Sequence, residues 1–225
     1  MSEPDAAPEP VPPAAAGASP APPRPAGPPR RVRRAPWRST EYVALDFETT
    51  GLNPRVDHVV SFGTVLVRGG RVVLETARYA EASPPSWPSH GSVRIHQLRP
   101  ADLATAPPVS EASRLLAEVL TGRVLICWAA GVEAAFLDTL FGGGPRRWLR
   151  RSVDVLPMTR RLEAAGGGNP DLRLASVAAR YGVPVDRPHH ALGDALMTAQ
   201  LFLVMAAKLE PLGYRTTGKL LRLTR

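Results

Sequence analysis

Two carboxylates, Asp46 and Glu48, stand at the end of the apolar run VALDFET and just before a glycine turn. In a β-strand, residues i and i+2 point to the same face, so both side chains share one side of the predicted strand. If both were ionised in a dry interior, desolvation and mutual repulsion would be strongly unfavourable. A hard divalent cation would remove that cost, which makes the pair a candidate set of metal ligands. A strand edge that faces water explains the pair equally well from these residues alone.

A histidine and an aspartate lie near the start of the segment HHALGDALMTAQL. Asp194 falls early in a predicted helix, and His189 lies five residues before it. Five residues are about one and a half helical turns, so the two side chains meet only if His189 lies just ahead of the helix, in a loop. That arrangement would place a general base beside a metal ligand. An N-capping or surface histidine is the alternative.

A third acidic residue, Glu133, stands alone in the apolar segment CWAAGVEAAFL. It falls in the first turn of a predicted helix, where the helix dipole favours a negative charge. Taken by itself, this position needs no function to explain it.

Strand and helix patterns around these residues predict a mixed sheet. Tyr42–Phe47, His58–Val67 and Val72–Tyr79 read as strands, and the RGGR turn between the last two favours a hairpin. RVLICWAA and SVDV give two further short strands, and helical patterns alternate with them. Hairpin strands followed by alternating strands and helices are typical of an α/β fold.

Composition divides the chain of 225 residues into three parts. Residues 1–38 are rich in Pro, Ala and Arg and are predicted to be a disordered tail, because they hold few large apolar groups. Residues 39–209 form the predicted domain, and 210–225 a basic C-terminal tail. There is no apolar signal core at the N-terminus and no segment is expected to span a membrane, so we expect a cytoplasmic protein. The one cysteine, Cys127, lies in an apolar run and is expected in the core.

The net charge of +8 arises largely from the two predicted tails, where basic residues outnumber acidic ones. Positive charge suits a polyanionic partner, and RRVRR could contact nucleic acid. A generally arginine-rich composition and a solvated tail explain the charge equally well.

Taken together and in order, these segments resemble the DEDDh 3′–5′ exonucleases. That family includes the epsilon proofreading subunit of bacterial DNA polymerase III, ribonuclease T and oligoribonuclease. VALDFETTGLNP is similar to the first motif of the family and HHALGDA to the third, and the resemblance covers about residues 40–208. The second motif departs from the family pattern of a His-Asn pair followed by an aspartate, since Trp128, Ala129 and Glu133 stand there.

The resemblance implies a ribonuclease H-like α/β fold, with a mixed five-stranded sheet flanked by helices. It also implies that two Mg²⁺ or Mn²⁺ ions are held by four carboxylates, namely Asp46, Glu48, Glu133 and Asp194. The catalytic His189 would accept the proton of an attacking water. The terminal nucleotide would be held by Thr49, Thr50, Gly51 and Leu52, with His96 nearby. An ordinary loop histidine is the alternative for His96.

Two functions follow as hypotheses. The first is a metal-dependent 3′–5′ exonuclease that releases nucleoside monophosphates from the 3′ ends of single-stranded DNA or short RNA, with a replication or repair protein as a partner. The second is a degenerate exonuclease-like module that binds nucleic acid ends without cutting them, which the altered second motif would favour.

Overall fold

A mixed sheet of five strands, in the order β3-β2-β1-β4-β5, forms the centre of the protein. The structure is a computed structural model and describes residues 22–86, 96–164 and 170–223. The strands are β1 (Tyr42–Thr49), β2 (Val59–Arg68), β3 (Arg71–Glu81), β4 (Val124–Cys127) and β5 (Ser152–Asp154). The predicted five-stranded mixed sheet is confirmed.

The central strand β1 pairs antiparallel with β2 and parallel with β4, so it joins the hairpin half of the sheet to the parallel half. β2 pairs antiparallel with β3, and β4 pairs parallel with β5. The β2–β3 turn contains Gly69 and Gly70 at φ of 59° and 70°. Two consecutive positive φ values are what a tight hairpin turn requires, so this turn has the geometry that the paired glycines predicted.

Helices cover both faces of the sheet. In chain order they are α1 (Val109–Leu120), α2 (Gly131–Phe141), α3 (Pro145–Leu149), α4 (Val155–Glu163), α5 (Leu174–Arg180), α6 (Ala191–Leu209) and α7 (Thr217–Leu223). Alternate residues of β1 point to opposite faces. Tyr42 and Ala44 belong to the buried cluster that contains Phe202 of α6, whereas Val43 and Leu45 belong to the cluster that contains residues of α1 and α2.

The long helix α6 crosses one face of the sheet. By length and composition alone it could cross a membrane, with a mean hydropathy of 1.4 over its apolar window, so the expectation that no segment meets this criterion is wrong. Half of that window is buried inside the protein. The ring of Phe202 lies 4.8 Å from that of Tyr42 on β1, as expected of the core helix of a globular fold.

The described parts of the two predicted tails pack together on the domain. The 3₁₀ helix Arg30–Arg34 lies within the stretch predicted to be disordered, a second one, Trp37–Ser39, begins in it, and α7 lies within the predicted basic tail. The Trp37 N–H donates to the Arg215 carbonyl at 3.1 Å. The domain in the described residues therefore reaches beyond the predicted bounds of 39 and 209, while residues 1–21 lie outside the described part.

The reason for this difference is a large aromatic side chain. Trp37 is 1% exposed, its ring meets that of Phe202 edge-on at 5.9 Å, and its Nε1–H donates to Glu210 at 3.2 Å. On α7, Leu220 and Leu221 are also buried. Proline-rich composition signalled disorder, but a few apolar side chains bury enough surface to hold the segment in place.

We predict that Trp37→Ala lowers the free energy of unfolding by about 3–5 kcal/mol, because it empties a fully buried site. Trp37→Phe keeps an aromatic ring against Phe202 and serves as the matched control, with a smaller loss. Urea denaturation measures both. Equal midpoints for wild type and Trp37→Ala would show that this segment is not part of the folded core.

A close backbone contact sets α6 against the sheet. Gly63 of β2 lies opposite Asp46 of β1 in the antiparallel ladder. A Cβ at Gly63 would overlap the backbone of Ala191 and Leu192 in the first turn of α6. The absence of a side chain at Gly63 therefore lets the start of α6 rest directly on the sheet beside Asp46.

We predict that Gly63→Ala destabilises the fold by about 1–3 kcal/mol, because the first turn of α6 must move away from the sheet. Gly27→Ala is the control, since nothing lies within 4 Å of a Cβ built there. Urea denaturation of the two variants gives the comparison. Similar unfolding free energies would contradict the close approach.

Candidate active site

Three carboxylates from two elements meet at one end of β1. Asp46 and Glu48 lie on the same face of that strand, and Asp194 lies in the first turn of α6. One oxygen from each of the three lies within 4.8 Å of the others. The structure therefore brings together three of the four predicted metal ligands, from positions nearly 150 residues apart in the chain.

Burial raises the pKa of each of these acids, and the charges of neighbouring acids add to this effect at Asp46 and Glu48. The pKa of Asp46 lies well above its usual range, mainly because of burial and then because of the charges of Glu133, Asp194 and Glu48. Burial, with a smaller effect of Asp194, raises the pKa of Glu48 to about 8. Burial also raises the pKa of Asp194 to about 6. Such a group holds protons at neutral pH unless a cation compensates it.

The donor set fits a hard divalent cation. Among the residues that the structure describes, the ion pairs of Arg side chains involve other carboxylates than these. Oxygen ligands with several negative charges are the ligands that Mg²⁺ and Mn²⁺ take in proteins. This arrangement could hold metal ions and neutralise a phosphodiester beside them.

Glu133, the fourth predicted ligand, lies close to this group but outside it. It is the third residue of α2 and is 4% exposed. Burial first and the charge of Asp154 second raise its pKa to about 8, and its Oε2 has no hydrogen-bond partner within the described ranges. A buried carboxylate oxygen without a partner is rare in native proteins and is what a bound cation would satisfy.

An aspartate that the sequence reasoning missed holds the turn before Glu133. Asp154, at the end of β5, accepts hydrogen bonds from the N–H groups of Ala129 and Ala130 at 3.0 and 2.9 Å. It also caps α4 by accepting from the N–H of Leu156 at 3.0 Å. Asp at the end of a short strand and before a helical pattern is a known N-cap signal. Its hydrogen bonds to Ala129 and Ala130 join segments about 25 residues apart, so the local sequence around Asp154 does not indicate them.

The turn at Trp128 and Ala129, where the sequence departs from the second motif of the family, has an unusual backbone conformation. Ala129 has a φ of 56°, a left-handed conformation that Asn tolerates better than Ala. Asn is the residue that the resemblance to the DEDDh exonucleases implies at this position, and the backbone conformation of Ala129 would suit it. Trp128 is half-buried and packs against the core cluster on the α6 face.

His189 lies just ahead of α6, as the sequence spacing required. The helix begins at Ala191, and His190 occupies its N-cap position. The backbone N–H of His189 donates to Asp194 Oδ2 at 3.2 Å, and its charge lowers the pKa of Asp194. Its side chain is exposed. An exposed imidazole beside the acidic cluster is free to exchange protons with solvent.

A stacked pair that the sequence did not indicate fixes the start of α6. The ring of His190 lies 4.5 Å from that of Tyr79 on β3, with an angle of 23° between them. His190 Nδ1 accepts from the N–H of Gly193 at 3.4 Å. Burial and the neighbouring Glu81 raise the pKa of Tyr79 to about 12. This contact ties the turn that carries His189 and Asp194 to the sheet.

The predicted nucleotide-binding segment forms a closed loop after β1. Thr49 Oγ1 donates to the Gly51 carbonyl at 2.7 Å, and Thr50 Oγ1 donates to Asp57 Oδ1 at 3.2 Å. A Cβ on Gly51 would fall 2.5 Å from the Asp57 carboxylate, which is why this position needs glycine. Leu52 at the tip is 77% exposed. Both threonine hydroxyls therefore shape the loop, and Leu52 is the apolar side chain that it presents to solvent.

His96 lies against the start of this loop. It is 8% exposed, and its Nδ1 accepts from the N–H of Leu98 at 3.1 Å. Burial lowers its pKa, and the Thr49 backbone nearby partly offsets that effect. Its Nε2 is buried and forms no well-aligned hydrogen bond in the part of the chain that the structure describes. Because Nδ1 accepts a hydrogen bond, the proton of the neutral ring lies on Nε2.

Curated relatives match this chain over most of its length. DNA polymerase III PolC-type of Staphylococcus haemolyticus is 25% identical over 179 residues, which cover 78% of this chain and 12% of the relative. The PolC-type polymerase III of Staphylococcus aureus matches with the same identity and coverage. The chain thus spans about an eighth of the length of these relatives.

Solved structures share the fold. Escherichia coli exonuclease I in complex with a dT13 oligonucleotide superposes with a TM-score of 0.66 at 17% identity, over 77% of this chain and 42% of that one. Exonuclease X in complex with 5′ overhanging duplex DNA has a TM-score of 0.64 at 18% identity, over 82% and 99% of the two chains.

A family model described as the RNase T exonuclease matches residues 43–202, which include every predicted metal ligand and His189. Given this match, the sheet order and the carboxylates gathered at the end of β1, the chain belongs to the RNase T exonuclease family, the DEDDh exonucleases with a ribonuclease H-like fold.

Proposed function

We propose that this protein is a metal-dependent 3′–5′ exonuclease that removes nucleoside monophosphates from the 3′ ends of single-stranded DNA or short RNA. The observation that carries the proposal is the meeting of three carboxylate oxygens, from Asp46, Glu48 and Asp194, within 4.8 Å. Membership of the exonuclease family and the DNA bound to its structural neighbours support it. Its similarity to a polymerase III protein supports a replication or repair setting.

The four acids have one role in this proposal, which is to hold two Mg²⁺ or Mn²⁺ ions: Asp46, Glu48, Glu133 and Asp194. When bound, such ions neutralise the phosphodiester and lower the pKa of an attacking water. Asp46 and Glu48 are fixed by the strand, and Asp194 is fixed by the contact of α6 with Gly63. Preorganised ligands of this kind need no rearrangement before the reaction.

His189 accepts the proton of the attacking water. Two observations support this role: the backbone N–H of His189 donates to Asp194, and the His189 side chain is exposed to solvent. The accepted proton can therefore leave to bulk water after each turnover. An imidazole suits this task near neutral pH better than any other side chain.

The terminal nucleotide lies against the loop after β1. Leu52, the exposed side chain at its tip, packs on the last base or sugar. Thr49, Thr50 and Gly51 keep the loop backbone in shape for this contact, since their groups bond within the loop. His96, which lies against the Thr49 backbone, is near the terminal nucleotide in this proposal.

We predict that Asp46→Asn lowers the cleavage rate by about 100-fold or more, because it removes one ligand charge from the acid cluster. Glu75→Gln, on the exposed face of β3, is the control and keeps the wild-type rate. Single strands labelled at the 5′ end should give a ladder of shorter products, and strands labelled at the 3′ end should release labelled mononucleotide at once. Equal rates for Asp46→Asn and wild type, or the reverse labelling pattern, would reject the proposal.

A second candidate function is end binding without cleavage. The position of Glu133 outside the three-oxygen group, together with Trp128 and Ala129 in the second motif, favours it. Calorimetry separates the two functions. Mn²⁺ binding with a stoichiometry of two supports the enzyme, whereas DNA binding without any metal binding supports the end-binding module.

We predict that the metal-free protein loses stability as pH rises from about 5 to about 8. The carboxyls of Glu48, Glu133 and Asp194 have folded pKa values of about 8, 8 and 6, above the usual value near 4. Over that range the unfolded chain binds fewer protons than the folded one, so rising pH favours unfolding.

Metal reverses this trend, because the ions bind the deprotonated carboxylates. The rise in Tm on adding Mg²⁺ should therefore be larger at pH 8 than at pH 5.5, as measured by thermal melts in Mg²⁺ and in EDTA. Glu48→Gln is the matched variant. In EDTA its Tm should depend less on pH than that of the wild type, because one of the titrating carboxyls is gone. An equal Mg²⁺ effect at both pH values would contradict a site built from these acids.

A further inference from the structure

A cavity of about 190 Å³ lies at the other end of the sheet from the acids, and five arginines line it. They are Arg30, Arg33, Arg147, Arg150 and Arg151, and the lining contains no acidic residue. Val124, the first residue of β4, also lines it and pairs with Tyr42, four residues before Asp46 on β1. At about 3.3 Å per residue, the cavity lies roughly 13 Å or more from the acids along the strand.

Arg151 is the anchor of this cavity and forms no ion pair with any residue in the described part of the chain. It is 5% exposed, and its guanidinium donates to the carbonyls of Leu120, Arg123 and Pro25 at 2.7, 3.2 and 3.4 Å. Its Nε has no hydrogen-bond partner among the described residues. Burial, with a smaller effect of Arg147, lowers its pKa to about 10, so it stays charged at neutral pH. Its guanidinium also lies 5.1 Å from the centre of the Trp148 ring. A buried cation that meets carbonyl dipoles and an aromatic ring but no carboxylate is a costly arrangement that an anion would relieve.

The cavity is built by segments distant in sequence. Arg33 donates from Nη2 to the carbonyl of Arg150 at 2.9 Å, which joins the first 3₁₀ helix to the end of α3. The N–H of Gly122 donates to the carbonyl of Ala26 at 3.0 Å, which holds the preceding segment against the domain. The arginines are therefore held in one place by the fold.

Positive charge continues outside the cavity. Arg31 and Arg34, on the same 3₁₀ helix, are exposed. In the described ranges, Arg30, Arg147, Arg150 and Arg151 form no ion pair with an acidic side chain. One phosphate occupies two or three guanidinium groups, so a row of this length suits successive phosphates of a chain more than a single free anion.

We propose that this arginine cavity and its flanking arginines bind the phosphodiester backbone of the nucleic acid strand whose end lies at the acids. This inference rests on the proposed function, because it concerns the same strand. The straight distance of roughly 13 Å or more already corresponds to about four nucleotides at 3.4 Å each, and a path over the surface is longer. A strand of four nucleotides reaches the acids alone, whereas one of thirty reaches both sites.

The test compares the binding of fluorescein-labelled dT30 and dT4 by fluorescence anisotropy in EDTA, where no cleavage occurs. The variant is Arg30→Gln with Arg150→Gln, two exposed residues whose replacement leaves the core intact. We expect the affinity for dT30 to fall at least about tenfold and the salt slope to decrease by about 1.4, while the affinity for dT4 stays unchanged. Arg173→Gln, which removes a charge paired with Asp171 on another surface, is the control and leaves both affinities unchanged.

Three outcomes overturn the inference. One is a dT30 affinity that does not change in the double variant, and another is an equal loss for dT4 and dT30. The third combines two results: inorganic phosphate raises the Tm of the wild type but not of the double variant, and the double variant still binds dT30 normally. That result would assign the cavity to a free anion. Cleavage of dT4 by the wild type is assayed separately. If dT4 is not cleaved but the double variant weakens dT30 binding, the exonuclease proposal fails and the arginine site stands.

Discussion

Repulsion among carboxylates at the end of β1 is the constraint on which the rest of the structure depends. Asp46, Glu48 and Asp194 lie close enough together, and deep enough, that the fold raises the pKa of each. A fold selected for stability alone would separate them or pair them with arginine. The family match and the grouping of three carboxylate oxygens within 4.8 Å support the proposal that this cost serves a metal site.

Much of the architecture serves to hold this unfavourable group together. The sheet fixes two acids through one strand, and the bare Gly63 lets α6 bring Asp194 against them. The stack of His190 on Tyr79 ties down the helix start. Asp154 restrains the turn before Glu133. Each contact joins segments far apart in the chain, so local propensity alone would not form the site.

The sequence predicted those parts whose signals are local. Alternation along β1 placed Asp46 and Glu48 on one face, and helical spacing required His189 to precede α6, as it does. It missed Asp154 and the Tyr79–His190 stack, because ordinary residue types become partners only through tertiary contact. The packing of Trp37 and α7 was also not predicted, because composition averages over many prolines and gives little weight to one tryptophan.

The acids at one end of the sheet can lose their charge at neutral pH, whereas the arginine at the other end cannot. The acids avoid their repulsion by keeping protons, since their pKa values rise toward or above neutrality. Arg151 does not lose its charge in this way, because its pKa of about 10 leaves it protonated at neutral pH. The positive end is therefore permanent, whereas the acidic end favours an anionic strand only after cations have bound. In the proposed mechanism, the arginines can therefore hold a strand with or without metal, whereas the acids hold its end only when metal is present.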